Sequence, residues 1–185
     1  MTWIEYLELS EKTLSSQFNC EDEKDQKVLH AVIGILTEVE ELLDNHMTEN
    51  FDPVNVGEEV GDLLWYLSIL GREYQLQYPQ IIVKDKNPEP MSLVLKITKY
   101  TCKLLDMLKK KIYYNKPIDE VSFKNTATII MLNISDYMNC YDLNTEEIFD
   151  VNIQKLKARY GDKFSSERAI NRDLETERKI LSKEI

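Results

Sequence analysis

Apolar residues return every three or four positions through most of this chain and seldom every second one. That is the helix period, and it predicts an all-α fold. Residues 2–17 read as a first helix, with Thr2 as its N-cap. Trp3, Tyr6, Leu7, Leu14 and Phe18 recur along it as a packing face, with lining of a base pocket as the sharper role for Trp3 or Tyr6. A second helix runs from about 25 to 46, with Leu29, Val32, Ile33, Leu36, Val39 and Leu43 as its apolar arc. Glu40 falls among those positions, and the periodicity offers no reason for it. Asp52-Pro53 reads as an N-cap followed by Pro in the first turn of a third helix, about 54–77. Leu63, Leu64, Leu67 and Leu70 supply its core face, with Asn55, Glu59, Asp62 and Tyr66 as a polar stripe.

Residues 78–90 hold three prolines and read as a linker, with room for an extended piece at 81–83. Helices over 91–114 and 119–139 follow, then a sixth from a cap at Asn144 or Thr145 to about 160. One all-α domain therefore spans 1–165, with 78–143 as a helical pair inserted in it. The charged tail, 166–185, reads as a final helix lying on the surface or against a partner subunit.

Two pairs of acids interrupt the apolar runs. Glu38 and Glu41 lie in GILTEVEELLD, and Glu59 and Asp62 in EEVGDLLWYLSIL. Residues three apart differ by about 60° around a helix, so each pair shares a face. An unpaired carboxylate in an apolar setting is costly, and four aimed at one space repel unless a cation sits among them. A hard divalent ion such as Mg²⁺ suits oxygen ligands of this kind. Ala31 and Gly34 share the arc of Glu38 and Glu41, which leaves room for a ligand or for a close helix. Spacing alone also permits Glu41 to pair with Asp44. On the sixth helix Asn152, Lys155 and Arg159 fall within roughly 60° of one another. That stripe suits a polyphosphate, Lys giving a point charge and Arg a forked contact, although ordinary solvated surface is the plainer account. The Lys109–Lys111 run sits at a helix end, where cations suit the dipole, and reads as solvated.

Composition narrows the choice. A net charge of −10 argues against nonspecific nucleic-acid binding and implies that an anionic ligand arrives with metal. Cys20, Cys102 and Cys140 are odd in number and form no CxxC, which fits unpaired thiols in a reducing compartment. The first residues carry acids rather than the apolar core of a signal peptide, and no apolar run reaches the roughly 18 residues of a membrane span. The expected setting is cytoplasmic, with no membrane partner. A di-iron bundle would want Glu-x-x-His pairs, but Lys27 and Leu43 stand three residues before His30 and His46.

The ordered set Glu38-x-x-Glu41, then residues 42–58, then Glu59-x-x-Asp62, resembles the ExxE…ExxD signature of the MazG-like all-α nucleoside triphosphate pyrophosphohydrolases. The later N-I-Q-K-L-K-A-R-Y-G-D-K-F and A-I-N-R-D resemble that family's closing motifs, with Gly161 where the family has Pro. The match covers 28–70 and 148–173 well and 78–143 poorly, and it favours Glu38 with Glu41 over the shifted pair. It implies a MazG-like helical bundle assembling as a homodimer or homotetramer. It implies cleavage of a (deoxy)nucleoside triphosphate, the (d)NTP substrate, to monophosphate and pyrophosphate. Glu38, Glu41, Glu59 and Asp62 would hold two or three Mg²⁺, with Mn²⁺ as a substitute, and Glu38 or Glu41 would serve as general base. Lys155 and Arg159 would act on the phosphates, Asn152 would orient them, and Tyr66 would touch substrate. Asn171, Arg172 and Asp173 would complete the site between subunits. The rival readings are a noncatalytic nucleotide-binding or interaction module of the same fold and a related enzyme acting on another phosphorylated nucleotide.

Overall fold

Polar side chains start the helices where the chain's breaks predict. The computed structural model describes residues 1–49, 51–79, 89–161 and 163–182. Among these, every regular element is helical: α1 (Trp3–Glu11), α2 (Glu23–Met47), α3 (Pro53–Tyr74), α4 (Pro90–Tyr114), α5 (Glu120–Asn139), α6 (Thr145–Tyr160), α7 (Ser166–Ile170) and α8 (Leu174–Leu181). Thr2 caps α1 in a capping box with Glu5. Asp22 caps α2, Asp52 caps α3 ahead of Pro53, Glu89 caps α4, Asp119 caps α5 and Asn144 caps α6. Gln75 and Asn115 turn left-handed after α3 and α4, and Gly161 ends α6 at a positive φ of 69° outside the left-handed helical region. The extended piece expected at 81–83 lies outside the described residues.

Helices α2 and α3 pack on each other, and α4 and α5 form a second pair laid against them, α4 on α2 and α5 on α3. Val28, Ile35, Leu42, Leu63, Leu67, Ile97, Leu104, Phe123 and Ile130 meet in one shared core. The opposite flank of α3 carries α6, and α8 then packs on α6 and α3. The turn between α2 and α3 is clamped by one buried amide. Asn45 Nδ2 donates to the Asp52 carbonyl at 2.9 Å, and the Asp52 amide donates back to Asn45 Oδ1 at 2.9 Å. This reciprocal pair fixes how far α3 is offset along α2, and hence how the two acid pairs face each other. No helix among the described residues is long and apolar enough to cross a membrane. No disulfide links Cys20, Cys102 and Cys140.

Several expectations need correction. The first helix ends at Glu11, and it buries none of its residues. Trp3 is 69% exposed, so neither it nor Tyr6 packs inside the chain. The connection that follows is what docks: Ser15 and Asn19 donate to the carbonyls of Tyr113 and Ile112 at the end of α4. In α2 the buried face is Val28, Ala31, Val32, Ile35, Val39 and Leu42, while Ile33 is exposed. That face is turned by roughly 100° from the expected arc, and it leaves Glu40 in solvent, which removes the puzzle of its position. The tail is two short helices, and α8 buries Glu177 and Leu181 against its own chain. Of the lysine run, Lys109 and Lys110 pair with Asp106, but Lys111 bridges to Asp25 and ties α4 to the start of α2.

Candidate functional site

Because α2 and α3 pack side by side, their like-charged acids meet. Carboxylate oxygens of Glu38, Glu41 and Glu59 lie within 4.8 Å of one another. Glu41 is exposed, Glu38 half-buried and Glu59 only 3% exposed. Burial first, then the charge of Asp62, raises the Glu38 carboxyl above its ordinary value. Burial raises Glu59 further, followed by the charge of Glu41 and a hydrogen bond shared with Glu38. The donors are all oxygen, and the cluster carries more negative charge than its surroundings tolerate. That combination fits a hard divalent cation and suits neither a soft metal nor a redox metal that prefers nitrogen or sulfur.

Asp62 lines the same cavity but is bound on its other side. Its Oδ1 accepts from Asn152 Nδ2 at 2.6 Å and its Oδ2 from Lys155 Nζ at 2.6 Å. Lys155 is fully buried and also reaches Glu58 Oε1 at 3.2 Å. The predicted basic stripe of α6 is therefore split. Asn152 and Lys155 address the acids of α3 from beneath, whereas Arg159 lines the cavity. Close approach of α6 to α3 makes this reach feasible: a Cβ on Gly61 would stand 3.0 Å from Asn152 Nδ2.

The cavity has a volume of about 690 Å³ and lies between the acids of α2 and α3 and the far end of α6. Glu38, Glu41, Glu59 and Asp62 supply its acidic part, and Lys157, Arg159, Lys163 and Arg172 supply cations. The rest is largely aromatic. Tyr66 stands edge-on to Trp65 at 4.8 Å and to His30 at 5.6 Å, and Tyr160 adjoins Phe164 at 5.2 Å. Burial, with help from Glu38, raises the Tyr66 hydroxyl, so it stays a neutral donor. Tyr66 lies over Gly34, where an added Cβ would come within 2.2 Å of its ring. The small residue beside the acids thus seats a side chain from the neighbouring helix. Overpacking costs about 1–3 kcal/mol and outweighs the roughly 1 kcal/mol that Ala gains over Gly in a helix. Gly34→Ala is therefore expected to lower the melting temperature by a few degrees in a thermal scan, with Tyr66 displaced into the cavity.

Arg159 and Arg172 converge on one further acid. Glu177 accepts from Arg159 Nε at 2.9 Å and Nη2 at 2.6 Å, and from Arg172 Nη2 at 2.7 Å. Burial alone would raise Glu177, but the two guanidiniums outweigh it and hold the carboxyl below its ordinary value. Sequence reasoning missed Glu58 and Glu177. Neither carries a spacing signal: Glu58 merely precedes Glu59, and Glu177 sits in a tail dense with charge. His30 and Trp65 were also missed as lining residues, because aromatic and imidazole groups on an apolar helix look like core. Compared with family models, curated proteins and solved structures, the chain gives no match.

Proposed function

We propose that this protein is a Mg²⁺-dependent hydrolase that splits (deoxy)nucleoside triphosphates into the monophosphate and pyrophosphate. The observation that carries the reading is the meeting of Glu38, Glu41 and Glu59 carboxylates within 4.8 Å at one side of a cavity whose other walls are cationic and aromatic. A nucleotide presents the matching parts, a polyanion and a flat base. The resemblance of the acid pairs and closing motifs to the MazG-like pyrophosphohydrolases points the same way.

Glu38, Glu41 and Glu59 would hold the ions, with Asp62, whose two oxygens already accept from Asn152 and Lys155, as the fourth expected ligand at the edge of the cluster. Mg²⁺, when bound, supplies the positive charge that offsets a polyphosphate and acidifies water. A water attacks the α-phosphorus, the bond to the oxygen bridging α and β breaks, and pyrophosphate leaves. A carboxylate oxygen of Glu38 or Glu41 takes the water's proton. Lys155 and Asn152 each donate to one oxygen of Asp62 and so fix its orientation. Arg159 faces the phosphates, where its charge stabilises the transition state. Tyr66, His30 and Trp65 receive the base. In this reading the chain acts in the cytoplasm as a homodimer or homotetramer, adjusting or cleaning the nucleotide pool.

The test is to incubate the protein with each common and modified (d)NTP, with and without Mg²⁺, and to measure pyrophosphate. Release is expected only with the cation, and it is expected to vanish in Glu38→Gln and Asp62→Asn. Absence of turnover with every nucleotide would overturn the enzyme and favour a noncatalytic nucleotide-binding module. Turnover confined to another phosphorylated nucleotide would keep the site and change the substrate.

A further inference from the structure

Glu177 has no part in the chemistry described above, yet it is one of the most buried charges in the chain, at 3% exposure. It lies on α8, eighteen residues beyond Arg159. Each of its oxygens is used. Oε1 accepts from Arg159 Nε at 2.9 Å, while Oε2 accepts from Arg159 Nη2 at 2.6 Å and from Arg172 Nε at 3.1 Å and Nη2 at 2.7 Å. Arg172 Nη2 continues to Glu58 at 3.4 Å, and Glu58 accepts from Lys155 at 3.2 Å. One carboxylate thus joins two guanidiniums that both line the cavity.

Two guanidiniums side by side repel, and each hangs on a long, freely rotating stem. A buried anion between them removes both problems, since it balances the charge and locks the rotamers through forked contacts. Both forks use Nε and Nη2, so Nη1 of each arginine lies outside the carboxylate's grip. We infer that Glu177 is a positioning residue: it holds Arg159 and Arg172 together at the cavity wall as a paired receptor for the polyphosphate of a nucleoside triphosphate. The inference rests on the triphosphate reading of the site. It gives the C-terminal helix a role in substrate selection, because a pair of arginines distinguishes three phosphates from one.

The experiment measures binding of α,β-methylene analogues of the four common deoxynucleoside triphosphates, and of the matching monophosphates, by titration calorimetry in Mg²⁺. Glu177→Gln keeps the shape of the side chain and removes its charge. It is expected to weaken triphosphate binding about tenfold and monophosphate binding less than about twofold. Mn²⁺ binding to the acid cluster is expected to stay unchanged, which a general loosening of the fold would not allow. Arg159→Lys is expected to cause a similar loss, and the double variant to be no worse than either single one, because one residue acts through the other. Additive losses, an unchanged triphosphate preference, or tighter triphosphate binding in Glu177→Gln would each overturn the positioning role. Should Glu177→Gln not fold, the Arg159→Lys/Arg172→Lys cycle reads the same bridge without touching Glu177, and additivity there overturns it equally. If the wild-type protein binds no analogue, the triphosphate reading itself falls and takes this inference with it. If the wild type binds and the variants bind alike, only the positioning role falls.

Discussion

Replacing Glu59 by Gln is expected to abolish cation-dependent turnover and, at the same time, to stabilise the metal-free protein. The loss of turnover is expected to reach at least about 100-fold, equivalent to about 3 kcal/mol of the several that a bound ion contributes. The gain in stability follows from burial. Glu59 sits almost out of water, beside Glu41, Glu38 and Glu58, and all of these raise its affinity for a proton. In the unfolded chain it loses that proton at the ordinary glutamate value of 4.5. Folding therefore takes up a proton above that pH, so the contribution of Glu59 to stability is complete below it and is lost as pH rises toward neutrality and beyond. A neutral amide escapes the loss. Thermal scans in EDTA should show the wild type destabilised between pH 5 and 8 while Glu59→Gln changes much less, with a melting temperature several degrees higher at pH 8. Adding Mg²⁺ should raise the wild type and leave the variant nearly unmoved. A wild type with no pH trend in EDTA, or a variant that still responds fully to Mg²⁺, would remove Glu59 from the cation cluster.

The second large effect is expected at Lys155. Its ammonium is fully buried and lies between Asp62 at 2.6 Å and Glu58 at 3.2 Å. Removing one partner of a buried ion pair strands the other, at a typical cost of about 3–5 kcal/mol. Lys155→Met keeps the stem and deletes the charge. Chemical denaturation should show it less stable by about 3 kcal/mol, a fall of roughly 10 °C in melting temperature for a chain of this size. Converting Asp62 to Asn in the same background should restore part of the loss, because the stranded carboxylate is then gone. A loss below about 1 kcal/mol would place the bridge in the class of solvated surface pairs instead.

Much of this was legible in the sequence. The acid pairs announced themselves because carboxylates inside apolar helices need a reason, and i, i+3 spacing gave them one face. The breaks were legible because Asp52-Pro53 and Asn144 carry their own capping chemistry. The rotation of α2 was not. That helix has apolar residues around more than half its girth, Leu29, Ile33 and Leu36 as well as Val28, Ile35 and Leu42, and periodicity does not say which arc faces inward. The basic stripe of α6 was found, but not its division of roles. Whether a lysine addresses a ligand or a neighbouring helix depends on how closely the helices approach, and Gly61 sets that distance only once α3 and α6 are seen together. Glu177 was illegible for a similar reason, since a buried acid between two arginines has the same composition as a solvated tail.

The acids of α2 and α3 are brought together by a clamped turn, across about twenty residues of chain, whereas the lysine that balances Asp62 arrives from ninety-three residues further on. Synthesis runs from the N-terminus, and contacts near in sequence close first. The ribosome therefore finishes the anionic half of the site well before it makes the ammonium that quiets it. In that interval protons and dissolved cations are what can offset these like charges, so early pairing of α2 with α3 is expected to depend on the pH and divalent-cation content of the surroundings.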